Sequence, residues 1–554
     1  MSPRSSRLAS FIILAFLPAC SMCGGGPTEP PSRYVAKASG MVIEVPDVGA
    51  LVARRAAITA KLEGIATKEQ IDVAIGELKR TLTFDPTTAE GLDAAGLPKK
   101  GAMAIDVIDQ GASALFIIPV GDAKKLDATI NELVKSKETV VETKQESFEG
   151  SDITCHYGQF GPEKMLISAH TIKNGYAFVG NGKSGLEAVK AALPRKKEDS
   201  IATHAEYAPL VGSIGEVMVR VIVPSAKEMN AALGAALELP ADSIALQMKS
   251  VGWGLSLDDK SLAVLLRMRF EESALAKLKA MFATSGKLPA GVASVLSSEA
   301  VITVLGAGNV DAVMATLMPP GSELATQFEG MVQAIQAEVG VDVRIQVLAQ
   351  MSGHAALALG IADPKLLANV RELMRNPARA LWSTGSIGLK SPDEIKKLSV
   401  FKAEQDPVLT QRGMARTNRT IKEHDIAVLG MTDAPSGVDS MLMETWLSGG
   451  AWSFSNTAAR TEKMIDAEAA PPADKLAGKG GVIVEIHVAP VAVALRSLDI
   501  EALAGGAAEA MLVRGFMTKA LSILDRIEIV EGKMESTDDG LAGVARVVFA
   551  NPPK

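Results

Sequence analysis

Short apolar runs recur along the chain, and each leads through a capping residue into a stretch with helical periodicity. Met41-Val-Ile-Glu-Val45 passes through Pro46-Asp47 to Val48, and Val217–Val223 through Pro224-Ser225 to Ala226. Val301–Leu305 passes through Gly308-Asn309 to Val310, and Val482–Val488 through Ala489-Pro490 to Val491. Runs of this length rich in Val and Ile predict strands. Asp, Ser and Asn can accept hydrogen bonds from the orphan N–H groups of a helix start. Ala114–Val120 enters a helix carrying Leu126, Ile130, Leu133 and Val134, capped by Asp122. Ala355–Leu359 enters one carrying Leu366, Val370, Leu373 and Met374, opened by Asp363-Pro364. Both sets share the spacing of one helical face.

Late in each half a further pair occurs: Trp253–Leu257 turns at Asp258-Asp259-Lys260 into Leu262-Ala263, with Arg267 and Phe270 beyond. Ile527–Val530 leads to Asp538-Asp539-Gly540 and Leu541-Ala542, with Arg546 and Phe549 in the same register. Each predicts a hairpin with an acidic turn. Five matches in one order predict an internal duplication. The expected fold class is α+β: two tandem copies of a mixed or antiparallel sheet with helices packed on one face, spanning about 33–290 and 295–554. Ser136–Ser151 reads as an exposed hairpin arm and Arg195–Ser200 as a solvated turn. Gly478–Gly481 belongs to a loop before the final unit.

The first residues follow another pattern. Arg4 and Arg7 precede an uncharged stretch from Leu8 to Leu17. It is half of what a bilayer span requires but suits the hydrophobic region of an export signal. Leu17-Pro18-Ala19-Cys20 then resembles the lipobox of bacterial lipoproteins. That resemblance implies removal of residues 1–19, lipidation of Cys20, and a membrane partner reached through the lipidated N-terminus. Ser21 after the cysteine implies, by the same resemblance, sorting to the outer membrane. Residues 20–32, rich in Gly and Pro, would be a flexible tether. Together with the repeated layout, the chain resembles uncharacterised duplicated α+β lipoproteins of Gram-negative bacteria. That resemblance supplies no catalytic motif.

Composition narrows the function. The 554 residues are 47% hydrophobic and 22% charged, enough for a sizeable core. A formal charge of −7 and 4% aromatics argue against nucleic acid as a partner. Three cysteines cannot build a disulfide scaffold.

Candidate chemistry is thin. Gly180-Asn-Gly-Lys-Ser-Gly185 looks like part of a phosphate loop, but Ala177 stands where the first glycine belongs, so it reads as a strand-to-helix turn with a serine cap. Ser399-Val-Phe-Lys402 matches Ser-x-x-Lys without its partner motifs. Cys155-His156 with His170 is the one local group of zinc-ligand types, and it reads better as a partly buried thiol and surface imidazoles in a hairpin. His487 lies within an apolar strand and reads as a core or edge residue. Arg412, Arg416, Arg419 and Lys422 form a basic stripe at near-helical spacing that could meet anionic lipid, although neighbouring acids favour a solvated face. No catalytic, cofactor or metal residue is assigned, and no cofactor is expected. The expected role is non-enzymatic binding or scaffolding beside a membrane, with an apolar ligand or an envelope protein as partner. The alternatives are a carrier of lipid and an envelope hydrolase.

Overall fold

The computed structural model describes residues 29–49, scattered positions from 52 to 80, 82–137, 140–239, 243–318, 322–339, 342–368, 380–397, 410–431, 443–498 and 507–550. Single positions 259, 285 and 412 and the pairs 473–474 and 477–478 lie outside that description. The signal stretch and Cys20, and Ser399–Lys402, fall outside the described residues. So do Val370, Leu373 and Met374. The chain divides into two compact units, Met1–Glu271 and Glu272–Lys554. The division lies some twenty residues before the loop chosen from sequence.

The first unit holds ten strands among the described residues. They are β1 (Met41–Val45), β2 (Met103–Ile108), β3 (Ser113–Pro119), β4 (Val140–Phe148), β5 (Ser151–Phe160), β6 (Glu163–Lys173), β7 (Tyr176–Asn181), β8 (Val219–Val223), β9 (Met248–Leu257) and β10 (Ser261–Phe270). These strands pair antiparallel, in the order β4-β5-β6-β7-β3-β2-β1-β8-β9-β10. The helices are α1 (Ala89–Ala95), α2 (Ala123–Lys137), α3 (Gly185–Ala192), α4 (Tyr207–Ile214) and α5 (Lys227–Leu237). As the sequence predicted, Asp122 caps α2: its Oδ1 accepts from the N–H groups of Lys124 and Lys125 at 2.9 and 3.1 Å.

Helices cover both faces of this sheet, not one. Leu92, Leu126, Ile130 and Val134 of α1 and α2 pack on Met103, Ile105, Phe116 and Val179. Val189 and Ala192 of α3 and Leu210 and Ile214 of α4 pack on Ala104, Leu115, Ile117 and Phe178. The reason lies in β3, which is buried at every position. Successive side chains of a strand point to opposite faces, so an unbroken apolar run demands cover on both.

The second unit also holds ten strands among the described residues: β11 (Ile302–Ala307), β12 (Met351–Ile361), β13 (Leu381–Leu389), β14 (Met414–Ile421), β15 (His424–Met431), β16 (Met443–Ser448), β17 (Ala451–Ser455), β18 (Gly481–His487), β19 (Ile527–Ser536) and β20 (Gly540–Phe549). They pair antiparallel in the order β14-β15-β16-β17-β13-β12-β11-β18-β19-β20. Its longer helices are α6 (Glu272–Met281), α7 (Val310–Leu317), α8 (Glu323–Val339), α9 (Ala458–Glu468), α10 (Val488–Ser497) and α11 (Ala507–Leu524). Asn309 caps α7 by accepting from the Ala312 N–H, as its position implied.

α9 is locked to the sheet by a cation and a ring. The Arg460 guanidinium lies 3.5 Å from the centre of Trp382 and pairs with Glu299 at 2.7 Å. Trp382 fits because its cross-strand partner is Gly360, where a Cβ would fall 2.2 Å from the indole. Gly306, on the central strand β11, is the opposite case: a Cβ there would meet nothing within 4 Å. Gly360→Ala is therefore expected to destabilise the second unit by about 1–3 kcal/mol in denaturant melts, by overpacking. Gly306→Ala should leave it within about 0.5 kcal/mol.

Candidate functional site

The phosphate-loop reading fails on geometry. β7 ends at Asn181 and α3 begins at Gly185, so the segment is a strand-to-helix turn. Gly182 has φ +79°, and Gly180 packs so closely on Gly185 that a Cβ would meet its carbonyl oxygen at 2.0 Å. The expected serine cap is absent, however. Ser184 makes no capping bond to α3, and its hydroxyl donates to Asp109 at 2.5 Å. The hydroxyl is drawn away by a carboxylate, a stronger acceptor than the helix start offers a donor.

Beside this turn lies an open depression of about 390 Å³ lined by Ser39, Asp106, Asp109, Ser184 and Arg195, among others. Asp106 is buried, accepts from the Ser39 hydroxyl at 2.6 Å, and is held above the usual carboxylate range by burial. Two aspartates facing the depression oppose an anionic ligand. Arg195, expected in a solvated turn, instead points inward and donates to the Tyr34 carbonyl, tying the segment before β1 to the sheet.

Cys155, His156 and His170 do not converge. Cys155 packs with Ile153 and Val189 on the α3 side, where burial pushes its thiol up. The two histidines, expected at the surface, are instead buried on the α2 side, because α2 covers that face of β5 and β6; their ring centroids lie 5.7 Å apart. No group of three or more metal-ligating side chains occurs among the described residues. His487 ends β18, partly exposed, 3.7 Å from Glu485, and its burial lowers its basicity.

The basic stripe dissolves for a simple reason: Arg416 and Arg419 lie on strand β14, not on a helix. Residues three apart on a strand point to opposite faces. Arg419 turns in to Glu444 at 2.6 Å, and Lys422 pairs with Asp466. Arg412 lies outside the described residues.

What remains is a surface that motif reading missed. In the second unit, β12, β11, β18 and β19 align three cross-strand rows on one face of the sheet. They are Leu359–Ile302–Ile486–Val530, Leu357–Val304–Val484–Gly532 and Ala355–Gly306–Val482–Met534. None of these twelve positions carries a polar side chain. The other face holds the rows Ala358–Thr303–Glu485–Glu531 and Ala356–Leu305–Ile483–Lys533.

That second face is the core side, where Leu305, Ile483, Ala356 and Ala358 pack into an apolar cluster. Thr303 and Glu485 are buried, with the Glu485 carboxylate held by Lys475 and bonded by Thr303 at 3.3 Å. Leu357, Leu359 and Val482, by contrast, remain 41, 42 and 41% exposed. Leu381, Ile486 and Met534 on the same face are exposed as well. α10 packs against β12 and β19 at this sheet, yet its Val493 faces solvent, as do Met511 and Phe516 of α11. A contiguous apolar surface of this kind marks a binding site more often than isolated exposed residues do. The signal was present in sequence as the alternation of β11 and β18, but which face would be covered was not.

No family model and no curated protein matches the chain. Among solved structures, crystal form III of TP0453 is similar over 47% of this chain and 90% of its own, at 11% identity and a TM-score of 0.24. Crystal form I of the same protein covers 47% and 89%, at 11% identity and a TM-score of 0.25. Both overlaps are too loose to transfer a fold or a role.

The strand placement of the arginines gives a direct expectation. Arg419→Ala leaves the buried Glu444 carboxylate without its cation and should cost the second unit about 3 kcal/mol. The measurement is urea denaturation followed by tryptophan fluorescence.

Proposed function

We propose that this chain is a membrane-anchored binding protein that takes an apolar ligand, such as an acyl chain, on the open sheet face of its second unit. One observation carries the reading: three four-residue apolar rows face outward while Glu485 and Thr303 are turned inward. Burying such a face against a ligand gains about 25 cal/mol per Å² removed from water, whereas leaving it wet gains nothing. Gly306 lies inside one row and Gly532 at the β19 end of another. A Cβ at Gly306 would meet nothing within 4 Å, and one at Gly532 only the Val484 carbonyl oxygen at 4.0 Å, which leaves a shallow trough for a ligand chain. This geometry favours a carrier over a scaffold that grips a partner through polar contacts.

Two further readings belong to the same proposal. The first is a tandem duplication. It is supported by strand orders that coincide when ten is added to each label, and by the hairpins β9–β10 and β19–β20, each with an irregular register near its open end. On this reading the pairing of Ala114–Val120 with Ala355–Leu359 is out by one strand: β3 corresponds to β13, and β12 to β2. The second is the lipid anchor at Cys20, which rests on the lipobox resemblance. No described helix is long and apolar enough to cross a membrane.

Protein purified from membranes should carry a stoichiometric apolar molecule in native mass spectrometry. Leu357→Gln combined with Val482→Gln should weaken binding of a fluorescent fatty acid by about tenfold or more, since each substitution removes about 1 kcal/mol of apolar contact. Equal binding by parent and variant would remove the sheet face as the site. For the anchor, Cys20→Ala should lose incorporation of labelled palmitate and move from the membrane to the soluble fraction. Unchanged partition would end that part of the proposal.

A further inference from the structure

Beneath α2, β5 and β6 hold a buried polar group that the ligand reading does not use. His156 and Ser168 are cross-strand partners, and His170 lies two residues along on the same face. Both imidazoles are sealed from solvent, with rings 19° from parallel. Each is held through one nitrogen: His156 Nδ1 by Thr143 Oγ1 at 3.1 Å, and His170 Nε2 by Asp127 Oδ1 at 3.0 Å. The other nitrogens, His156 Nε2 and His170 Nδ1, are buried without a hydrogen-bond partner, as is Ser168 Oγ.

The charges around the pair are unequal. Among the described residues, α2 supplies Asp127, half exposed and bonded to His170, and Lys135, an exposed cation whose field reaches His156. β4 supplies only the Thr143 hydroxyl and β6 only Ser168, both neutral. Cys155 belongs to the opposite face. A proton on His170 would have a carboxylate beside it. A proton on His156 would have a hydroxyl, a second imidazole and an ammonium. The site thus accepts two neutral rings and opposes two charged ones.

We propose that His156 and His170 form an acid-sensitive latch, which holds α2 on the sheet at neutral pH and releases it in acid. The latch sits against the face that Leu126, Ile130 and Val134 of α2 cover, so release uncovers an apolar strip that includes Phe116 and Val179. This is independent of the second unit's ligand face.

Burial, with His170 and Lys135 adding to it, lowers the affinity of His156 for a proton from 6.5 to about 4. Burial lowers that of His170 too, against the pull of Asp127. Above pH 6.5 neither the held nor the released form is protonated, and the latch stays shut. Between there and pH 4 the released form binds more protons and gains on the held form as pH falls. Below pH 4 the effect is complete. The lowered affinity of His156 alone shifts the balance by about a hundredfold or more.

Hydrogen–deuterium exchange of the full chain, corrected for intrinsic rates, tests this. Between pH 7.5 and 4.5, peptides of α2 and β4–β6 should lose about tenfold to a hundredfold protection, while those of α3, on the other face, keep theirs. His156→Gln with His170→Gln, which retains an N–H for Asp127 but cannot take a proton, should keep α2 protected at pH 4.5. Lys135→Glu, on the surface, needs no core rearrangement. Its added negative charge should move the loss of protection to lower pH, even if the double variant fails to fold. Protection of α2 that is equal at both pH values in the parent overturns the latch. So does a loss at the parent's pH in Lys135→Glu.

Discussion

The period of two in a paired strand governs this molecule. Once antiparallel register is set, every side chain is committed to one face or the other, and a shift by one residue would exchange them all. In the first unit β3 is buried at each position, so both faces become interior and helices close on each. In the second, β11 and β18 alternate strictly, and the outcome differs by face. One carries Thr303, Glu485 and the Trp382–Arg460 stack beneath α9; the other, along the three rows of β12, β11, β18 and β19, carries only hydrocarbon and glycine.

Each sheet holds a cross-strand polar pair in its interior. Glu44 on β1 lies opposite Arg220 on β8, and Thr303 on β11 opposite Glu485 on β18. In the first, Tyr207 donates to the Glu44 carboxylate, which burial nonetheless raises above its ordinary range. In the second, Lys475 and Thr303 serve Glu485. Removing one partner from such a set leaves a charge stranded in a poor solvent for it, which costs far more than the intact set contributes.

Much of the fold was legible in the residues. The strand runs, the caps at Asp122 and Asn309, and the acidic turn at Asp258 all rest on local rules, and each sits where those rules put it. Asp258 Oδ1 accepts from the Lys260 and Ser261 N–H groups at 2.7 and 2.6 Å. Three features were not legible, because they depend on non-local competition. Helix cover on both faces follows from how strands are ordered in the sheet. Ser184 abandons its cap for Asp109, 75 residues earlier in the chain. The arginines near 416 keep a spacing that suits a helix by chance, on a segment whose partners make it a strand. The apolar face was hidden for a related reason: alternation announces that a sheet has a greasy side, and only the placement of helices decides whether that side is covered.

Charged residues mark β4 in the first unit and β14 in the second. β4, paired on one side with β5, carries Glu142, Lys144 and Glu146 in alternation, each tied into ion pairs with Lys144, Lys164 or Lys190. β14, paired with β15, carries Arg416 and Arg419. A foreign strand seeking to extend the first sheet beyond β4 would have to strip water from this row of charge, whereas on β14 the two arginines point to opposite faces and Arg419 is already paired with Glu444. Sideways growth is thereby discouraged at β4, where an arriving strand would meet solvated charge in place of a free backbone edge.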